Sequence, residues 1–182
     1  EHNDRIFQRI HGLFKWLEPH STLTSELKLD LKPVKILLFG FHRTGEALLP
    51  VVKKMKQSYE VVDFDPVAVR ELAELGEPSV YGDVGDENFL EEIKADKSRL
   101  IISTIPDFVI STALLTFLRS RTYKGVVVVS VNSQEEAVRC YDLGATYVIV
   151  PTVLSGRMFS EILEKTKITK RSWETLGKKS VK

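Results

Sequence analysis

A doubly wound α/β fold, with a six-stranded parallel sheet covered by helices on both faces, is what this 182-residue sequence predicts. Three observations carry the expectation. Six short apolar runs alternate with amphipathic helical patterns across 34–165. The central runs are apolar at successive positions rather than at alternate ones, the pattern of strands buried on both faces. A glycine-bounded turn, GFHRTG (40–45), separates the first run from the first helical pattern, which is where Rossmann-like sheets hold phosphates.

The elements follow in order. Residues 4–17 (DRIFQRIHGLFKWL) set Ile6, Ile10, Leu13, Phe14 and Leu17 on one face, predicting an N-terminal amphipathic helix that needs a partner to cover its stripe. Residues 18–33 are polar, bracketed by Pro19 and Pro33, and read as a linker. VKILLF (34–39) is the first strand, and a helix carrying Ala47, Leu48, Val51, Val52 and Met55 comes after the turn. YEVVDF (59–64) is the second strand; Pro66 opens the next helix and Gly76 stops it. SVYGD (79–83) precedes a helix over 86–95, and RLIISTI (99–105) precedes one over 108–120. GVVVVSV (125–131) leads into a helix over 134–143, TYVIV (146–150) is the sixth strand, and a last helix begins near Val153. The domain is thus expected over 34–165. The stretch 166–182 reads as a solvated basic tail, with contact to anionic lipid headgroups as the livelier alternative.

Composition narrows the function classes. A net charge of +1 gives no global argument for nucleic acid. One cysteine, Cys140, excludes an internal disulfide; it reads as core packing, with a redox sensor as the alternative. The four histidines are scattered, and no zinc-type spacing occurs, so no metal is expected. The apolar stretch 100–118 is about as long as a membrane span, but Pro106 and Asp107 divide it into a β-rich half and a helical half. The chain starts at Glu1 rather than Met, and is expected to be part of something longer.

The candidate site gathers at the carboxyl ends of the strands. In the turn Gly40, Phe41, His42, Arg43, Thr44 and Gly45, the first glycine permits the bend and the last lets helix pack on strand. The helix N-terminus then offers N–H groups and partial positive charge to phosphate. His42 stands where the middle glycine of GxGxxG would be, crowding a pyrophosphate or donating a hydrogen bond to phosphate beside Arg43. Asp63 ends the second strand at about the 20-residue interval where an acid binds a ribose diol, which favours NAD or an adenine nucleotide over NADP. Phe64 and Asp65 follow; Asp65 competes for the ribose, or caps the helix opened by Pro66. Asp83 and Val84 lie where an adenine would rest, or form a plain turn before a cap near Asp86. Thr104, Ile105 and Asp107 follow the fourth strand near the switch point, and Asp107 reads equally as a helix cap.

These residues resemble a known family. ILLFGFHRTGEAL, then VVDFDP, then YGDVGDENFL and the strand ending IPD, look like an RCK/KTN (Trk-type) regulatory domain. LGATYVIVPTVLSGRMFSEIL is similar to that family's sixth strand and crossing helix. Such domains sit on the cytoplasmic side of potassium channels, Trk-type uptake systems and cation/proton antiporters. The resemblance implies binding of AMP, ADP, ATP or NAD(H), a homodimer built through the last helix, and control of monovalent cation transport by a membrane domain. It assigns Gly40, Arg43 and Gly45 to phosphate, Asp63 to ribose and Asp83 to adenine. His42, where many members have glycine, and Ser111, where an asparagine is expected, depart from the pattern. By the same analogy, 4–17 resembles the exit from a last membrane helix of an antiporter.

A small NAD-dependent oxidoreductase is the enzymatic alternative. It would need a catalytic acid and a substrate domain. No tyrosine has a lysine four residues on, and too little chain follows the sixth strand. A dimerisation module that has lost its ligand is the third reading. AMP or ADP is expected to bind at least as well as NAD, because His42 crowds the pyrophosphate.

Overall fold

In the computed structural model, which describes residues 32–180, six parallel strands form one sheet in the order β3-β2-β1-β4-β5-β6. The strands are β1 (Ile36–Phe39), β2 (Tyr59–Asp63), β3 (Ser79–Tyr81), β4 (Leu100–Ser103), β5 (Val126–Ser130) and β6 (Tyr147–Ile149). Each lies inside the run expected for it. Helices α1 (Thr44–Lys54), α2 (Pro66–Glu74), α3 (Glu87–Glu92), α4 (Phe108–Ser120), α5 (Gln134–Asp142) and α6 (Pro151–Lys165) follow the strands one by one. The segment 4–17 and most of the linker 18–33 lie outside the described residues.

The sheet divides its side chains between two cores. Leu37, Phe39, Val62, Ile101, Val127 and Val129 join α3, α4 and α5 on one face. Ile36, Leu38, Val61 and Ile102 meet Leu49 and Val52 of α1 and Ala68 and Leu72 of α2 on the other. Alternate residues of β1 therefore serve opposite cores, and all four are buried. That is why the strand reads as an unbroken apolar run.

One expectation needs correcting, and one element is added. The helix expected over 86–95 stops at Glu92, because Lys94 turns left-handed (φ 54°) and a 3-10 turn takes over at Ala95–Lys97. Within the basic tail, Lys170–Ser180 forms a seventh helix, α7, that the sequence reading did not include. Ser172 N–H bonds Thr169 Oγ1 at its start, and Lys170 lies 3.8 Å from Glu174 one turn on. Trp173 reaches back to Phe159 of α6, with ring centroids 6.1 Å apart. The stretch 100–118 resolves into β4 and α4, and no helix among the described residues is long and apolar enough to cross a membrane.

Candidate nucleotide site

The order of the strands reverses between β1 and β4, and a cleft of about 570 Å³ opens there at their carboxyl ends. The turn after β1 forms one wall. Gly40 has φ 84°, and a Cβ on it would come 2.7 Å from Thr104 Oγ1. A Cβ on Gly45 would lie 2.0 Å from the Gly40 carbonyl oxygen, so α1 can begin this close to β1 only with glycine there. The first and last glycines therefore do what the motif requires of them. The left-handed residue between them is Arg43, with φ 59° at the N-cap of α1. That is a strained conformation for a side chain with a Cβ, costing about 1–3 kcal/mol.

Asp63 ties this turn to the next. Its Oδ2 accepts the Phe41 N–H at 2.7 Å and its Oδ1 accepts the Asp65 N–H at 2.9 Å, with only 5% of the residue exposed. Asp65 caps α2 by accepting the Val67 N–H on Oδ1 at 2.8 Å. Its Oδ2 stands 3.3 Å from His42 Nε2. Thr104 braces the far side: its hydroxyl reaches the carbonyl oxygens of Gly40 at 3.0 Å and Phe39 at 3.2 Å. The cleft thus has a basic wall, His42 and Arg43, facing an acidic one, Asp63 and Asp65.

Of the sequence candidates, Gly40, His42, Arg43, Thr44, Asp63, Phe64, Asp65, Thr104 and Ile105 line this cleft together. Phe64 does so as an exposed ring. The others lie elsewhere. Phe41 lends its N–H to Asp63 but buries its ring among Leu49 and Val61. Gly45 acts through packing. Asp83 closes a local turn onto the Gly85 N–H, Val84 is buried in the core, and Asp86 caps α3, which is the plain-turn alternative. Asp107 caps α4 through the Ile110 N–H at 3.0 Å.

Pro106, inside the 104–107 stretch, completes the lining with Asn132 and Pro151, which carried no site reading in the sequence. Asn132 follows β5; its Nδ2 donates to the Pro106 carbonyl at 2.5 Å, and its N–H bonds Glu136 Oε2 at 2.9 Å. The asparagine sought at position 111 is a buried serine bonded to the Ser130 carbonyl. An asparagine stands one strand over instead. Asn132 lies beyond the carboxyl end of β5, and the strand order brings it to the cleft. Cys140 is fully buried, and burial pushes its thiol up, away from the reactive thiolate.

The architecture has counterparts among known proteins. The TrkA-N domain model matches residues 36–151. A putative K(+) efflux antiporter KefB of Alkalimonas amylolytica is 28% identical over 127 residues, 69% of this chain and 19% of that protein. The match therefore spans about a fifth of the antiporter's length. The TrkA-N domain of the inner membrane protein ybaL from Escherichia coli superposes with a TM-score of 0.66 at 21% identity, covering 70% of this chain and 95% of that one. The Shewanella denitrificans Kef C-terminal domain in its AMP-bound form superposes with a TM-score of 0.60 at 15% identity, covering 80% and 91%. The family match runs from the first residue of β1 to the first residue of α6, through every wall of the cleft, and the chain belongs to the TrkA-N domain family.

Proposed function

We propose that the chain is a nucleotide-sensing regulatory domain of a monovalent cation (K+ or Na+)/proton antiporter, and is not itself an enzyme. It acts at the cytoplasmic face of the membrane, with 34–165 as the sensing domain. The observation that carries this reading is the cleft at the β1/β4 switch point, with a helix N-terminus and two basic side chains facing two carboxylates. Phosphate suits the basic wall, the ribose suits Asp63, and the exposed Phe64 ring offers an apolar face to a base. The ligand is AMP or NAD(H), with ADP and ATP as related candidates. A Kef relative with the same fold is AMP-bound, and a putative K(+) efflux antiporter is similar in sequence.

A homodimer belongs to the proposal. Helix α6 has no buried residue, and Leu154, Met158 and Leu163 are exposed along it, which is how a helix looks when its partner is another chain. A nucleotide that binds one arrangement of two copies better than another shifts their populations, by typically about 1–3 kcal/mol of coupling.

Calorimetric titration with AMP, ADP, ATP, NAD and NADH tests the reading. Arg43→Gly is the control of choice. It removes a phosphate-facing charge and relieves the φ of 59°, so it should weaken nucleotide binding while raising stability by up to about 1 kcal/mol. Loss of binding without loss of fold supports the sensor. A folded protein that binds none of the five leaves the dimerisation module as the better account.

A further inference from the structure

We propose that His42 makes the cleft selective for nucleoside monophosphates over dinucleotides, by a latch to Asp65 that a terminal phosphate opens. The inference rests on the nucleotide reading above and adds to it a specificity-determining residue and the contact it exchanges. The left-handed φ of the turn falls on Arg43, and His42 is not among the residues with positive φ. A glycine at position 42 would therefore not be needed for the backbone. What it would supply is space, and the histidine fills that space with a Cβ and a ring.

The ring has a definite direction. Its Nε2 lies 3.3 Å from Asp65 Oδ2, with half of the His42 side chain exposed, so the imidazole reaches from the phosphate turn to the turn after β2. Asp65 keeps its Oδ1 on the Val67 N–H, which leaves the Oδ2 contact as the one that can break without loosening α2. Asp63, with each oxygen on a backbone N–H, holds the two turns at their present separation and serves as a positioning residue for the latch.

Two kinds of phosphate meet this latch differently. A phosphomonoester carries close to two negative charges and three free acceptor oxygens near neutral pH. It can draw the imidazole off Asp65 and hold it by a charge-assisted hydrogen bond beside Arg43. A dinucleotide presents a pyrophosphate diester, with one charge on each phosphorus. Its chain must also pass position 42, where the histidine puts a Cβ in place of the motif's middle glycine, the residue that lets a pyrophosphate approach the backbone. A chain that ends at the turn need not pass that Cβ; a dinucleotide must.

Titration of the 182-residue chain with AMP and with NAD, beside His42→Gly, His42→Gln and Asp65→Asn, tests this, with thermal melts reporting folding. AMP should bind about tenfold or more tighter than NAD to the native sequence, and His42→Gly should move that ratio towards NAD by about tenfold or more. His42→Gln keeps about the side-chain length without the imidazole; it should weaken AMP and still exclude NAD. Asp65→Asn, which weakens the latch and keeps the cap, should tighten AMP severalfold. Equal affinities in the native chain, or an unchanged ratio in His42→Gly, overturn the role of His42 while leaving the nucleotide reading intact. Weaker AMP binding in Asp65→Asn overturns the latch. Should His42→Gly not fold, the native ratio and His42→Gln decide. A folded native chain that binds neither ligand overturns the nucleotide reading itself.

Discussion

Around the turn after β1, the groups that shape the cleft are held by other parts of the sheet, whereas along α6 no residue is buried. Thr104 reaches across from β4 to two carbonyls of β1 and its turn, and Asp63 reaches across from β2 to the Phe41 N–H. The two regions differ in what completes them. The cleft is finished by its own chain, so its geometry exists before any ligand arrives, and binding need not order it. Helix α6 touches the core through Val153 in its first turn and otherwise presents Leu154, Met158 and Leu163 outwards. Preorganisation in one place and an unfinished surface in the other is the division expected of a sensor that reports to a neighbour.

The largest test of the finished region is Gly45→Ala. The new Cβ would stand 2.0 Å from the Gly40 carbonyl oxygen, a backbone atom, and a Cβ has no rotamer that could relieve it. We expect a loss of about 3 kcal/mol or more by denaturant unfolding. A cost under about 1 kcal/mol would mean that the turn is soft and the cleft is not preorganised. Asp63→Ala comes next. It leaves the N–H groups of Phe41 and Asp65 without their acceptor, and should cost about 2–3 kcal/mol by the same measurement.

A smaller effect tests the back of the same body. Glu77 bonds both Lys53 and Tyr59, tying α1 and the start of β2 to the segment before β3. Burial, helped by the hydrogen bond and charge of Glu77, pushes the Tyr59 phenol up to about 12. Burial does the same to Tyr123. A raised folded value gives stability that is complete below the unfolded value of about 10 and is lost as pH climbs towards 12. Tyr59→Phe should flatten part of that alkaline loss, on the order of 1 kcal/mol, and leave the share of Tyr123. For Glu77 the sign is opposite. The hydrogen bond from Lys53, then that from Tyr59, lowers its value, so its contribution is present above about pH 4.5 and fades as pH falls through the lowered one. Lys53→Met should remove most of that acid-side dependence, measured as unfolding free energy from pH 6 down to 3.

The same contrast explains what the sequence made legible. Strands such as ILLF (36–39) and LIIS (100–103), buried on two faces, announce themselves, and Gly40 and Gly45 are tied to their roles by the absence of a Cβ. The side chains that close the cleft from β5 and β6, Asn132 and Pro151, carry no such mark. An asparagine after a strand looks the same whether it faces solvent or a ligand, and only the strand order brings it opposite Gly40. Asp63 and Asp65 could not be separated by spacing, because both are turn acids two residues apart. The structure distributes their bonds: Asp63 braces two turns, while Asp65 caps a helix and meets His42. The helix α7 was hidden by its charge. Its lysines suggest a solvated tail, and the contact that anchors it, Trp173 on Phe159, joins residues from two different elements.

The smallest expected effect on folding is the one that bears most on the unfinished region. Met158 is 66% exposed and Leu163 is 51% exposed, so Met158→Glu with Leu163→Glu removes little packing within one chain. The double variant should unfold within about 0.5 kcal/mol of the native sequence at low protein concentration. Self-association is where it should fail. If α6 is the dimer contact, the native chain gains stability from association by mass action, and its melting temperature rises with protein concentration. The double variant should lose that dependence and sediment as a monomer at every concentration. A variant that is destabilised by more than about 2 kcal/mol at low concentration would show that α6 packs within its own chain. A variant that still associates would move the dimer contact off this face. Only a concentration-dependent difference with an unchanged fold keeps α6 as the surface through which a change at the cleft reaches a second copy.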